Sequence, residues 1–372
     1  MHTKMKILIT TSFYPPYHLG GDATHCKYLA EALVKEGHEV HVLFSWDAYG
    51  WKKGYVKKEE NFNGVIVHKL KSPIGRLEPI LNYILGTQHY TYNYFKNLVL
   101  KEKFDVVHHH NISLLGPKLL KKINDYKNLY TAHDYWLICP KYDLLKNGKV
   151  CEEKKNCALC CLSHKKPYPL AKVDVHDLDA IISPSEYLAK QLKKYLNKKI
   201  VVINNFVPEL KVENKVSEKD YFLFVGQIED HKGILKLADL FNSIDKKLIV
   251  IGGGSKSHLI KNTKNVSYLG FKTPNEVYAY MKNANALILP SQWPENNPMV
   301  IIESYMLGTP AIASNLGGNP ELINLVDSKL CFKWDDFNDL KKIILNFDKK
   351  KYKKLPKLDF ISYFEKYLGL IE

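Results

Sequence analysis

Arginine is almost missing from this sequence. Of 54 basic residues only one, Arg76, is an arginine, and the formal charge still reaches +15 at pH 7. Nearly all of that charge is therefore lysine, which weighs against a nucleic-acid binder. Base edges are read by the bidentate guanidinium fork, whereas an ammonium is a point charge that mainly meets phosphate. The stacked-aromatic pattern of single-strand binders is missing as well. A lysine-rich nucleic-acid-binding protein is thus the disfavoured alternative, and no nucleic-acid partner is expected. A general preference for Lys, Ile, Asn and Tyr explains the charge, with attraction to anionic lipid headgroups as the functional alternative. The lysine-rich stretch Lys341–Lys357 is read first as a solvated face.

Long apolar runs are lacking too: no stretch reaches the roughly 18 residues that a membrane-spanning helix needs. MHTKMKILITTSF passes into a strand pattern without a small-residue cleavage site. The expected location is cytoplasmic, with peripheral contact at the inner face of an anionic membrane as its extension. GxGxxG is absent, and with it the dinucleotide fingerprint. The 372 residues suffice for two domains, each with its own core.

What is present is an alternation of short β-rich runs and amphipathic stretches, which predicts parallel sheets covered by helices. In the first half, strands are expected at Lys6–Ser12, Glu39–Ser45, Gly64–Leu70, Asp105–Asn111, Asn128–Asp134, Ala180–Ser185 and Ile200–Phe206. In the second half they are expected at Tyr221–Gln227, Lys247–Gly252, Val266–Phe271, Ala286–Ser291 and Pro310–Asn315. The polar stretch VPELKVENKVSEKD lies between, so the organisation reads as a domain over 1–206, a linker over 207–220 and a domain over 221–357. Leu358–Glu372 reads as an amphipathic helix with Phe360, Tyr363, Phe364, Tyr367 and Leu368 on one side.

The most informative stretch is PENNPMVIIESYMLGTPAIASNLGGNPELI, Pro294–Ile323. If Pro298–Leu307 is a helix, Glu303 lies within it and Glu295 lies in the loop leading to its N-terminus. Unpaired N–H groups and a positive dipole end gather anions and hydroxyl oxygens there. Two carboxylates beside such a site accept hydrogen bonds from polyols. With a strand on either side and the Gly317-Gly318 loop following, this spacing resembles the donor-site motif of glycosyltransferase family 4, and the resemblance covers nearly the entire chain. It implies the α/β GT-B architecture: two Rossmann-like domains facing a central cleft, with the final helix crossing back to the first domain. It also implies retaining transfer of a sugar from a nucleotide sugar, UDP- or GDP-linked, to a lipid-linked or polysaccharide acceptor, with no cofactor for the chemistry.

Site residues follow from reading the residues beside that resemblance. Gly20 and Gly21 open a helix after the first strand, and such a pair can receive phosphate on free N–H groups; the family places the donor diphosphate there. YFLFVGQIEDHKG resembles the strand and loop that grip the donor phosphates. Its Lys232 is suited to neutralising the departing diphosphate, while Gln227 stands where family members carry arginine. IGGGSKSHL either approaches a phosphate or simply turns the chain. The resemblance gives Phe271 to the nucleobase, through backbone atoms, Glu303 to the ribose and Glu295 to the donor sugar. Asn297, Met299 and Val300 can donate N–H groups to sugar hydroxyls, which Pro298, often glycine in the family, cannot. His133, at a strand end beside Asp134, is placed near the reacting carbon. A three-histidine metal site at His108–His109–His110 is not expected, since consecutive strand residues face opposite ways. Acceptor recognition is expected in the first domain, around Trp46–Lys58 and Arg76–Tyr94.

Five of the seven cysteines crowd into Cys139–Cys161. Cys157 and Cys160, with Cys139 and Cys151, have the spacing of a structural zinc site; disulfides or free thiols also suit it. Among enzymes the alternative is a GT-B nucleotide-sugar epimerase, which needs no acceptor.

Overall fold

A computed structural model describes residues 3–146, 149–213 and 216–372. Asn147 and Gly148 of the cysteine-rich loop and Asn214 and Lys215 of the expected linker lie outside the described residues. The chain divides into two units, one reaching to Asn204 and taking in Tyr363–Glu372, the other Asn205–Ser362.

In the first unit the strands are β1 (Lys6–Thr11), β2 (Glu39–Ser45), β3 (Ile66–Leu70), β4 (Val106–His109), β5 (Lys127–Thr131), the short β6 (Leu145–Lys146) and β7 (Lys149–Val150), β8 (Ala180–Ser183) and β9 (Ile200–Val202). Seven of them form one sheet in the order β3-β2-β1-β4-β5-β8-β9, every pairing parallel; β6 and β7 pair antiparallel by themselves. Parallel sheets are covered on both faces, so their strands are rich in apolar residues, as the fully buried Ile7, Leu8 and Ile9 show. The helices of this unit are α1 (Gly21–Lys35), α2 (Trp46–Lys53), α3 (Leu77–Leu85), α4 (His89–Glu102), α5 (Cys157–Ser163) and α6 (Glu186–Lys193). From Tyr363 onward the closing helix also belongs to this unit, with Tyr367 Oη 3.1 Å from Nδ1 of the buried His108.

The second unit has β10 (Tyr221–Gln227), β11 (Lys247–Gly253), β12 (Val266–Tyr268), β13 (Leu287–Leu289), β14 (Ala311–Ser314) and β15 (Cys331–Phe332). They form a parallel sheet in the order β12-β11-β10-β13-β14-β15. Around it lie α7 (Ile234–Asn242), α8 (Pro274–Asn283), α9 (Met299–Met306), α10 (Asn319–Ile323) and α11 (Phe337–Leu345). Leu223, Phe224 and Val250 are fully buried at its centre, and each such side chain contributes roughly 1.5–3 kcal/mol.

In both sheets the strand order reverses beside the first strand, between β1 and β4 and between β10 and β13. At such a switch point the neighbouring loops diverge and leave a crevice at the carboxyl ends of the strands. Both are parallel α/β sheets, as the alternating pattern predicts, but several strands are shorter than expected. Ala286–Ser291 contracts to Leu287–Leu289, since Pro290 has no N–H for the ladder. Val266–Phe271 ends at Tyr268, ahead of Gly270 at φ +67°. Asn128–Asp134 becomes Lys127–Thr131; beyond it Asp134 accepts from the Trp136 backbone N–H at 2.8 Å and turns the chain. The two-residue β15 has no counterpart in the sequence reading.

Candidate active site

In the second unit, functional side chains collect beyond β10 and β13. Lys232 ends a short 3-10 turn, Asp230–Lys232. Gly233 follows at φ +68°, and a Cβ on it would stand 2.1 Å from the Pro290 carbonyl oxygen. Glycine thus lets the lysine loop lie directly against the end of β13. Lys232 Nζ donates to Glu295 Oε1 at 2.5 Å, and Ser291 Oγ donates to the same oxygen at 2.6 Å. Glu295 is 7 % exposed. Burial works to raise its carboxyl, but the adjoining ammonium and these hydrogen bonds prevail and hold it below the ordinary range. The sequence reading gave the two residues separate partners; the structure makes them a nearly buried ion pair.

The Glu295 backbone is pinned from the other side. Gly318 N–H donates to its carbonyl at 2.6 Å, and a Cβ on Gly317, at φ +65°, would lie 2.0 Å from that oxygen. Asn297 accepts from the Asn205 backbone N–H at 3.0 Å, while its own carbonyl accepts from Asn205 Nδ2 at 2.9 Å. Asn297 Nδ2 is left buried with no hydrogen-bond partner among the described residues. Met299 and Val300 open α9 directly after Pro298, so their N–H groups belong to a first turn that has no intrahelical acceptors.

One turn on, the partly buried Glu303 carboxylate makes no ion pair or side-chain hydrogen bond among the described residues. Burial pushes its carboxyl up to about 7. Gln227 is exposed at the end of β10. Phe271, 80 % exposed, lays its ring over Gly253, where a Cβ would come within 2.4 Å of it. The capping box of Thr273 and Glu276 fixes the loop that presents this ring.

In the first unit, Gly20 caps α1 at φ +83°, and Gly21 is its first residue. One turn into α1 stands the fully buried His25; His110 follows β4 and His133 follows β5. His110 Nδ1 and His133 Nε2 lie 2.9 Å apart. The three residues each offer a nitrogen within 4.8 Å of the others, spacing that a metal ion could share. Burial holds all three below the ordinary imidazole range, so they are neutral at pH 7. Neighbouring Asp134 is pushed up to about 7, again by burial.

Along β4 and its continuation, His108 and His110 share one side, with ring centroids 4.2 Å apart. His109 faces the other way, its Nδ1 2.7 Å from Thr10 Oγ1. Sequence reasoning found His133 but missed His25 and His110 as its company. A histidine at a buried position one turn after the glycine pair was the available signal. Ser291 and Asn205 were missed as well, and nothing local marked them.

Residues 19–209 match the description "Glycosyltransferase Family 4", and residues 207–358 match "Glycosyl transferases group 1". The chain belongs to glycosyltransferase family 4. An uncharacterised glycosyltransferase of Methanocaldococcus jannaschii is 27 % identical over 349 residues, covering 92 % of this chain and 88 % of that one. The Escherichia coli UDP-Gal:α-D-GlcNAc-diphosphoundecaprenol α-1,3-galactosyltransferase is 24 % identical over 254 residues, covering 61 % and 62 %. Among solved structures, Anabaena HepE in complex with UDP-glucose superposes with a TM-score of 0.64 at 14 % identity, covering 98 % of each chain.

The two parallel α/β units are therefore those of a GT-B glycosyltransferase. Gln227 stands at the end of β10, and Pro298 directly precedes α9. No helix among the described residues is long and apolar enough to cross a membrane. Five of the seven cysteines lie between β5 and β8, where Cys139 and Cys151 pack against the first unit's hydrophobic core. Cys157 and Cys160 sit one turn apart on α5, and Cys151 Sγ donates to the Glu153 carbonyl at 3.1 Å. No three of the described cysteine sulfurs lie within 4.8 Å of one another. As arranged, Cys139, Cys151, Cys157 and Cys160 do not make a closed zinc shell, and no step of the chemistry is assigned to a metal there. Metal analysis with thiol counting distinguishes zinc, disulfide and free thiol.

Proposed function

We propose that this glycosyltransferase is a retaining hexosyltransferase that moves a sugar from UDP- or GDP-sugar to a lipid-linked or polysaccharide acceptor, acting in the cytoplasm at the membrane's inner face. The observation that carries this reading is the Lys232–Glu295 pair beside the α9 N-terminus, with the unpartnered Glu303 carboxylate one turn on. The UDP-glucose bound by HepE and the diphosphate-linked acceptor of the E. coli relative support the two substrate classes.

In this reading Lys232 turns part of its charge from Glu295 to the diphosphate as the glycosidic bond breaks, stabilising the leaving group. Glu303 accepts hydrogen bonds from the ribose hydroxyls. Glu295, freed on one side, orients the donor sugar together with Asn297 Nδ2 and the N–H groups of Met299 and Val300. Backbone atoms at Phe271 meet the base, Gln227 and the Gly20–Gly21 turn meet the phosphates, and neutral His133 meets a sugar hydroxyl near the reacting carbon. No side chain is assigned as a covalent nucleophile. The departing phosphate oxygen takes the acceptor's proton as the new bond forms on the same face, which demands positioning and charge stabilisation only.

A thermal-shift screen with UDP-, GDP-, ADP- and TDP-sugars tests this, because a ligand that binds the folded state raises its midpoint. One class of donor should raise the midpoint, and Glu303→Ala should remove the rise. Indifference to all four donors sinks the proposal. Recovery of an altered sugar still attached to its nucleotide, without any acceptor, turns it into an epimerase.

A further inference from the structure

We infer that a lysine-walled pocket in the first unit holds the diphosphate of the acceptor, which makes the acceptor a diphosphate-linked saccharide. The inference rests on the glycosyltransferase reading and narrows its acceptor.

The pocket has a volume of about 270 Å³ and lies beyond the carboxyl ends of β1, β2 and β3. Its aromatic floor is built in. Tyr17, in the loop after β1, is 1 % exposed and meets the Trp46 ring edge-on at 4.5 Å. Its hydroxyl donates to Glu60 Oε1 at 2.6 Å and accepts from the Lys58 backbone N–H at 3.2 Å. Four ammonium groups, of Lys57, Lys58, Lys69 and Lys71, line the walls against one carboxylate, Glu60. That carboxylate is already engaged by Lys69 through both oxygens. Lys57, Lys58 and Lys71 make no ion pair among the described residues. Lys71 stands 5.5 Å from the Trp46 ring centroid and Lys58 5.5 Å from that of Tyr49.

Lys58 Nζ donates to the Pro16 carbonyl at 3.0 Å, but three ammoniums without an ion-pair partner around one concavity still repel one another, an arrangement that a multiply charged anion relieves. A carboxylate supplies one negative charge, whereas a diphosphate supplies two or more. Ammoniums, unlike guanidiniums, bring no preference for a planar carboxylate. A concave site with an indole beside it suits a diphosphate with a sugar ring attached, whereas a flat headgroup surface calls for a protruding patch. The position agrees with an acceptor role, since this sheet's carboxyl ends also carry His133.

The experiment titrates the full chain with farnesyl diphosphate, farnesyl monophosphate, farnesol and inorganic pyrophosphate, with UDP or GDP saturating to fill the phosphate site of the second unit. Vesicles with and without phosphatidylglycerol form a further arm. The diphosphate should bind most tightly. Lys57→Gln/Lys58→Gln/Lys71→Gln should weaken it by about tenfold to a hundredfold, the scale of losing charge-assisted hydrogen bonds, without moving the ligand-free midpoint. If the triple variant folds poorly, Lys71→Gln alone should show a smaller loss in the same direction. Equal affinity in variant and wild type overturns the inference. So does binding to anionic vesicles with no preference for the diphosphate among soluble ligands, which would make the patch a membrane contact. The donor-induced thermal shift is read on the same samples: its absence beside intact, lysine-dependent diphosphate binding sinks the donor reading and leaves the pocket standing.

Discussion

The two units share a strand order around their switch points, yet the chemistry at those points is opposite. In the first unit three neutral imidazoles crowd together, with nitrogens within 4.8 Å. In the second an ammonium and a carboxylate share a 2.5 Å contact, and a second carboxylate stands alone nearby. Topology delivers loops to the same place in both; the side chains on those loops decide whether the crevice suits uncharged hydroxyls or a charged leaving group. The units also share a feature. Each has a carboxyl that burial raises to about 7, Asp134 in the first and Glu303 in the second.

The sharpest way to break this comparison is to remove the cation. Lys232→Ala should lower kcat by about a hundredfold to a thousandfold, the size of losing one preorganised stabilising group. It also strands Glu295 in a site where that residue is 7 % exposed, so the thermal midpoint should fall with it. Unchanged turnover from a nucleotide sugar would remove Lys232 from the chemistry.

Next in size is the pair of glycines that shape the two loops. At Gly317 a Cβ would meet backbone at 2.0 Å; at Gly20 the nearest atom is the Asp22 carboxylate oxygen, 3.0 Å away and on a side chain. Both lie at positive φ, so alanine strains both. Gly317→Ala should cost about 2–3 kcal/mol and raise the donor KM by displacing Glu295, whereas Gly20→Ala should cost about 1 kcal/mol. Equal losses in chemical denaturation would show that the second loop is not the more tightly held.

The raised carboxyls give a pH test whose sign can be worked out. An acid that ionises near 4.5 when unfolded and near 7 when folded holds its proton longer in the folded state. Between those values the folded chain binds more protons, so stability falls as pH rises. For Glu303 the loss is on the order of 1–3 kcal/mol, and Glu303→Gln should flatten that part of the slope. Asp134→Asn should flatten the share from the first unit, so the two variants together apportion the effect. Donor affinity should move the other way in the wild type, tightening from pH 5.5 to 8, because in the proposed reading ribose hydroxyls donate to the ionised carboxylate. A glutamine variant that keeps the tightening would exclude Glu303 as the acceptor.

Much of this was legible in the sequence because it is local. The glycine pair at the start of α1, the Glu295–Glu303 spacing around a helix start and Lys232 after a strand are each contained within a short stretch. The pairing of Lys232 with Glu295 joins residues 63 positions apart, and no local pattern encodes it. The meeting of His25, His110 and His133 likewise needs three elements brought to one sheet end, and each histidine alone reads as an ordinary buried residue. Strand ends were overdrawn wherever apolar residues continue past the ladder, as at Asn128–Asp134. His133, just past the end of that ladder, is one of the three clustered histidines. The cysteines are the converse case: their spacing suits a compact shell, no three of the described sulfurs lie within 4.8 Å of one another, and metal analysis with thiol counting decides their state.

The smallest effect concerns the departure at Gln227. It lies exposed at the end of β10 and carries no charge where the family resemblance expects arginine. Gln227→Arg adds a guanidinium able to take two phosphate oxygens at once. The site is solvent-exposed, so screening keeps the gain to about 1 kcal/mol, or a few-fold in donor KM. The gain should fade with added salt, and kcat should stay near that of the parent, because in the proposed reading Lys232 already meets the charge that grows in the transition state. Should Gln227→Arg leave KM unchanged at low salt, the phosphates do not pass the end of β10, and the second unit's site narrows to the loop between Lys232 and Glu303.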